Sequence, residues 1–387
     1  ADIKPRAPSP NAPKATQASG SIKAHAVRRD RVHPMSSPSA ALAVTAGRPI
    51  ITRPSSRKTT RNPDNISTRR PLGNRVTVLA AGSSGSAPSG DPAVKIEDGS
   101  LRTMRQAILK VATDASKLGA GVMLDKLGAD VVKTKANARD LLTEVDSEVQ
   151  RIIENAVTSA FPDHGFLGEE SVPPGMAASA QALAALLSDG PDWLWVVDPI
   201  DGTTNFVHGM PLCAISIGVA YKGEMQVAVI MDPFAGEIFS ATKGGGAFVN
   251  FSPAKVGEEA TGEEAVVATG YGAAAQSSKE MIKGMNALTA LPVRSVRMIG
   301  SAAIMLAWVA AGRLTAYFEC DLHSWDTAAG ALLVREAGGR MTDLTTGEEY
   351  TLETRAILAS NGATHDALRA CLVEGGVKAL ADKNVVA

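Results

Sequence analysis

Cysteine is scarce: Cys213, Cys320 and Cys371 are the only three in 387 residues, and they fall in no paired spacing. That excludes a disulfide framework and a cysteine-based zinc site, and leaves buried thiols in a reducing compartment as the reading. Aromatic residues make up 4% of the chain, and none occurs in residues 1–90. A basic arm that stacks on nucleic-acid bases needs such rings, so that class is disfavoured. No apolar run reaches the roughly 18 to 20 residues of a membrane helix. The best candidate, residues 302–311, is stopped by Gly312-Arg313. The histidines are scattered too, and His164, His208 and His365 read as surface or loop residues rather than ligands. Lys243-Gly244-Gly245-Gly246 lacks the spacing of a phosphate-binding Walker loop and reads as a hairpin turn.

Acid is missing from one end. Residues 1–90 carry 15 Lys/Arg against 3 Asp/Glu, a net +12, whereas the whole chain is −1, which leaves −13 for the remainder. The basic segment is rich in Ser, Pro, Ala and Arg and cannot bury enough apolar surface to order itself. Its composition is that of an organellar transit peptide. A chloroplast destination is expected, with the mitochondrion as the alternative. Met35-Ser36-Ser37-Pro38 has the look of a transit-peptide start, with processing expected near Val78-Leu79-Ala80-Ala81. The 297 residues that follow suffice for two packed lobes, expected at 91–256 and 257–387.

What is present centres on Asp198-Pro199-Ile200-Asp201-Gly202-Thr203-Thr204-Asn205-Phe206. The apolar run Trp193 to Val197 predicts a buried strand, and Gly-Thr-Thr-Asn a tight turn opening a helix. Two carboxylates and a backbone carbonyl form an oxygen-only ligand set, which hard divalent cations such as magnesium prefer. Free N–H groups at a helix start favour a phosphate beside them. Taken alone, the motif reads first as an ordinary Asp-Gly turn with a Thr cap. Its partners lie elsewhere: Glu169-Glu170-Ser171 after a short apolar segment, and Asp326 in the first turn of a helix opened by Ser324-Trp325.

Helical periodicity is predicted at 101–127, at 143–161 with Thr143 as cap and Asp146 in the first turn, and in the Ala-rich stretch 176–187. Residues 212–251 alternate as an antiparallel meander with turns at Lys222-Gly223 and Ala235-Gly236. Beyond residue 257 the pattern becomes strand, helix, strand, with strands at 265–269, 293–299 and around Glu319, and helices at 278–288 and 301–311.

Glu169-Glu170-Ser171, D-P-I-D-G-T-T-N-F and Trp325-Asp326-x-Ala328-Ala329-Gly330 resemble the inositol monophosphatase family in sequence, order and spacing, from about residue 101 onward. Lys135 and Asp146 match the family's early lysine and aspartate, and Gly300-Ser301-Ala302, Glu319 and His323 also fall at family positions. The resemblance implies an α+β fold, the α-β-α-β-α sandwich shared with fructose bisphosphatases, and commonly a homodimer. It implies that Glu169, Asp198 and the Ile200 carbonyl hold one Mg2+ and that Asp198, Asp201 and Asp326 hold a second, with a weaker third ion near Glu169. Asp146 and Thr203 resemble the pair that activates the attacking water, and the Gly202 and Thr203 N–H groups the phosphate cradle. Glu319 and Gly300, Ser301 and Ala302 look like contacts to the substrate's alcohol. The pair of ions would supply hydroxide near neutral pH and stabilise the departing alkoxide. Asp198 as a covalent nucleophile is set against this, since the resemblance commits it to both metals. His323 reads as structural or substrate-facing.

The resemblance implies an inositol-phosphate phosphatase, with L-galactose 1-phosphate as a second substrate and lithium inhibition. A histidinol-phosphate phosphatase is the alternative enzyme, and an inactive homologue acting as a binding protein the alternative class. Thr203-Thr204 where fructose bisphosphatases carry two serines, and Trp325 where many histidinol phosphatases carry tyrosine, argue against those branches.

Overall fold

The computed structural model describes residues 99–130, 133–134, 141–272 and 274–380. The basic leader, Met35, the expected processing site and Lys135 lie outside the described residues. Helix α1 (Gly99–Lys126) is followed by an antiparallel pair, β1 (Lys133–Thr134) and β2 (Leu141–Leu142), and by α2 (Glu144–Ala160). Then come β3 (Gly165–Gly168), a 3-10 turn at Glu169–Ser171, α3 (Met176–Asp189), β4 (Trp193–Asp201) and the short α4 (Thr203–Val207). The meander is β5 (Ala214–Tyr221), β6 (Glu224–Asp232), β7 (Glu237–Thr242), β8 (Gly246–Val249) and β9 (Ser252–Ala254). Next are β10 (Val266–Thr269), α5 (Ala275–Ala287), β11 (Ser295–Arg297), α6 (Ala302–Ala310) and β12 (Ala316–Glu319). The described chain closes with α7 (Ser324–Glu336), β13 (Arg340–Asp343), β14 (Ile357–Ser360) and α8 (His365–Glu374).

Strands β3 to β9 form one seven-stranded sheet in sequence order, antiparallel except for the β3–β4 pair. A five-stranded sheet has the order β11-β10-β12-β14-β13, with β10 parallel to both its neighbours. The period of two along β4 shows how the layers arise. Trp195 and Val197 join Ile108 and Val149 of α1 and α2 in one core, while Leu194 and Val196 join Leu306 and Leu332 of α6 and α7 in another. That second core also takes Tyr317, Ile357 and Ala359 from the five-stranded sheet, whose other face packs Phe318 and Leu358 on Met281 and Leu368 of α5 and α8. The order is therefore helix, sheet, helix, sheet, helix, as an α+β sandwich requires.

The central layer is built for close approach. Helix α6 is apolar all round and buried along nearly its whole length, as a helix covered on both sides must be. In α7, Ala328 and Ala329 lie directly against Gly218 of β5, and a β-carbon at Gly330 would press into Leu306 of α6. The small residues after Asp326 thus let α7 reach the sheet that carries Asp198 and Asp201. The expected boundary near residue 256 falls between the two sheets, yet α6 and α7 pack on the first of them, so the segments interlock.

Two local readings change, at His365 and Cys371, while His164 keeps its expected loop position. His365 is fully buried rather than at the surface: Nδ1 lies 2.8 Å from Ser360 Oγ and Nε2 3.0 Å from Thr342 Oγ, and burial pushes its pKa down to about 4. His164 is half-buried, stacked between Phe161 and Trp193, and accepts a hydrogen bond from Trp195 Nε1 at 3.0 Å. Cys213 and Cys320 are buried as expected, whereas Cys371 is half-exposed. The glycine-rich run at 243–246 is the β7–β8 turn, and its N–H groups are already taken, Gly244 and Gly246 donating to the Glu336 carboxylate at 2.8 and 2.9 Å.

Candidate active site

Residues three apart on a regular strand point to opposite faces, so Asp198 and Asp201 should diverge. They converge because β4 is bulged. Asp198 pairs with Ser216 and Asp201 with Ala214, so three steps on β4 answer two on β5. The extra residue reverses the phase, and Pro199, which has no N–H to give the ladder, sits inside the irregularity. The expected turn is thus a bulged strand end, followed at Gly202 by a left-handed backbone (φ +94°). A side chain at Gly202 would press on the carbonyl oxygens of Leu212 and Gly300, so glycine is required on two counts.

Asp326 arrives from the first turn of α7, where its Oδ2 accepts the His323 N–H at 2.7 Å. Among the described residues, Asp198, Asp201 and Asp326 place one carboxylate oxygen each within 4.8 Å of one another. Asp201 is tied to the start of α6: Ala303 N–H donates to Oδ2 at 2.6 Å, and the Ser301 hydroxyl donates to the same oxygen. Ser301, expected beside the alcohol, therefore commits its hydroxyl to a candidate metal ligand, and both it and Ala302 are buried.

Glu169 opens the 3-10 turn directly after β3, where the sequence placed it. Gln150 supports that turn: its Oε1 accepts the Glu170 N–H at 2.8 Å, and its Nε2 donates to Ser171 Oγ at 2.8 Å. The sequence reading missed Gln150, although it lies one helical turn after Asp146 and hence on the same face of α2. Asp146 is wholly buried. Its Oδ2 accepts the Thr143 N–H at 2.8 Å and hydroxyl at 2.5 Å, while Oδ1 faces the Thr203 hydroxyl at 3.3 Å. Thr203 Oγ also lies 3.0 Å from the Ile200 carbonyl oxygen. Asn205 clamps the loops around the site, its Nδ2 donating to the carbonyls of Leu212 at 2.7 Å and Ile299 at 2.8 Å.

Electrostatically the site is an excess of buried negative charge. Burial pushes the pKa of Asp201 up to about 6, with Glu169 adding to the rise and the Ser301 and Ala303 hydrogen bonds opposing it. Asp326 is raised well above the usual carboxylate range by burial, then by Asp201 and Glu169. Such a set is stable as anions only with a cation among them, and its all-oxygen chemistry suits a hard one. Glu319, at the end of β12, is buried too and is raised to about 7, by burial first and against the Tyr317 hydrogen bond. His323 is not in the acidic cluster: its ring stacks on Trp325, with centroids 4.5 Å apart, and Nδ1 lies 2.8 Å from Ser179 Oγ of α3. A cavity of about 430 Å³ lined by Leu187, Lys222, Arg335 and Tyr350 lies toward the far end of α7 from Asp326, apart from these groups.

The model of the inositol monophosphatase family matches residues 101–377. The Nus factor SuhB of Pseudomonas aeruginosa is 37% identical over 268 residues, which are 68% of this chain and 94% of that protein. Human inositol monophosphatase 1 is 33% identical over 273 residues, 70% of this chain and 91% of the human one. The crystal structure of extragenic suppressor protein suhB from Bartonella henselae superposes with a TM-score of 0.62 at 32% identity, covering 70% of this chain and 99% of that one.

Proposed function

The chain belongs to the inositol monophosphatase family and is a phosphatase, and from that membership we propose that it hydrolyses inositol monophosphate with Mg2+, and L-galactose 1-phosphate as a second substrate. The observation that carries this reading is the convergence of Asp198, Asp201 and Asp326 beside a Thr203 hydroxyl that faces buried Asp146. Asp198, Asp201 and Asp326, with Glu169 and the Ile200 carbonyl, are the residues that would hold the ions. Bound there, Mg2+ supplies a water acidic enough to ionise near neutral pH and neutralises charge on the departing alkoxide.

The protein's own groups do the rest. Thr203 Oγ takes a proton from the attacking water as it passes its own to Asp146 Oδ1, and Asp146 is held for this by Thr143 through its other oxygen. The Gly202 and Thr203 N–H groups, at the left-handed turn into α4, would receive the phosphate. Glu319 accepts a hydroxyl of the alcohol, which favours a polyol over a simple ester.

The test is phosphate release from inositol 1-phosphate, L-galactose 1-phosphate, histidinol phosphate and fructose 1,6-bisphosphate, with Mg2+ or with chelator. The expected result is Mg2+-dependent release, fastest from the first two and suppressed by lithium. Absence of release from all four would sink the proposal, and preference for histidinol phosphate would replace its substrate. The reading extends to a homodimer in the plastid stroma, the latter supported by the basic, acid-poor composition of residues 1–90. Sedimentation and imaging of a fluorescent fusion test those two points.

A further inference from the structure

Tyr317 and Glu319 are two residues apart on β12 and so share a face, turned toward the central helix layer. Tyr317 is fully buried, and its hydroxyl donates to Glu319 Oε2 at 2.5 Å. Burial raises the phenol well above its ordinary pKa, so it stays protonated and remains a donor. On the neighbouring strand, Thr269 pairs with Phe318, which brings Gly270 alongside Glu319. A β-carbon at 270 would overlap both carboxylate oxygens. Gly270 is not among the positive-φ glycines, so what it provides is space rather than an unusual backbone.

The carboxylate is thus seated between a hydroxyl and a bare backbone. Oε2 is engaged by Tyr317, and among the described residues no hydrogen bond reaches Oε1. We propose that Tyr317 and Gly270 are positioning residues that hold Glu319 with Oε1 presented to a hydroxyl of the substrate's alcohol. The inference rests on the reading above that Glu319 faces the alcohol. A glutamate side chain otherwise loses considerable rotamer freedom when a ligand fixes it, and fixing it beforehand removes that cost from binding. Among the described residues, the Tyr317 hydroxyl bonds to Glu319 and to none of the candidate metal ligands, Thr203 or Asp146, so the clamp lies outside the groups assigned to the ions and the water. Its effect belongs in the affinity for polyol esters.

The experiment compares inositol 1-phosphate with p-nitrophenyl phosphate, whose leaving group has no further hydroxyl, at saturating Mg2+. For Y317F, KM for inositol 1-phosphate is expected to rise about tenfold with kcat within about twofold, and KM for p-nitrophenyl phosphate to change less than about twofold. G270A should give the same split by displacing the carboxylate from the other side, and it carries the test where Y317F fails to fold. Equal losses on both esters, or no loss on either, would overturn the clamp. E319A separates the two readings. If E319A discriminates between the esters while Y317F and G270A do not, the clamp alone is wrong; if E319A does not discriminate, Glu319 does not face the alcohol and the clamp's role falls with it.

Discussion

The backbone N–H of Ala303 donates to Oδ2 of Asp201 at 2.6 Å, linking a carboxylate on β4 to the first turn of a helix 102 residues later. The positive end of α6 and the Ser301 hydroxyl therefore fix one candidate ligand before any ion arrives. Support of this kind orients a ligand without touching the metal.

Replacing Ser301 by alanine removes one of the groups that hold the Asp201 carboxylate. The expected outcome is about a tenfold loss of Mg2+ affinity, with kcat recovering at saturating Mg2+. Initial rates across a Mg2+ titration measure it. An unchanged titration curve would show that the Ser301 bond has no bearing on the ligand.

Asp201→Asn separates stability from activity. The amide can still accept from Ala303 and Ser301, but it removes a buried charge whose pKa is pushed up to about 6. In chelator the variant should melt above the wild type, since charge buried without a partner destabilises the fold. With Mg2+ its turnover should fall at least about a hundredfold. Wild-type-like rates would refute a ligand role for Asp201.

The pH dependence follows from Glu319, whose pKa is pushed up to about 7 from an ordinary 4.5. Between those values the folded form holds a proton that the unfolded chain has released, so this contribution to stability is complete below about pH 4.5 and lost as pH rises to about 7. His365, lowered to about 4, works in the opposite direction below about pH 6.5. The clean measurement is therefore the difference in melting temperature between wild type and Glu319→Gln in chelator. That difference should move against the wild type as pH rises from 5 to 8, and a flat difference would contradict the burial argument.

Thr203→Ala removes the hydroxyl between the Ile200 carbonyl and Asp146. Loss of a proton relay should lower kcat by about 10² to 10⁴, while Thr203→Ser keeps most of the activity. Thermal stabilisation by Mg2+ should persist in both variants. If serine fails as badly as alanine, the hydroxyl is not what matters at this position.

Much of this site was legible because its chemistry is local. Thr143 caps α2 and holds Asp146, Glu169 follows directly on a short strand, and Asp326 sits in a helix's first turn, all as spacing and capping preferences indicate. The layered fold was legible through the resemblance. What spacing could not give was anything fixed across the chain. The bulge that brings Asp198 and Asp201 to one face depends on the register with β5, and only Pro199 hinted at it. The hydroxyl of Ser301 bonds Asp201 because α6 packs against β4's end, a tertiary fact with no local signature. His365 looked like a loop residue because its partners, Thr342 and Ser360, lie on two other strands.

The three carboxylates come from β4 and α7, segments separated by the whole meander and most of the second sheet. A cation held among them would tie those segments together in a protein whose cysteines form no bridge. Unlike a disulfide, such a tie is reversible and graded, since the stabilisation a ligand confers on the native state grows with the logarithm of its free concentration. The stability of the native state would then follow the free cation in its surroundings, and chelation would lower it even where no substrate is present.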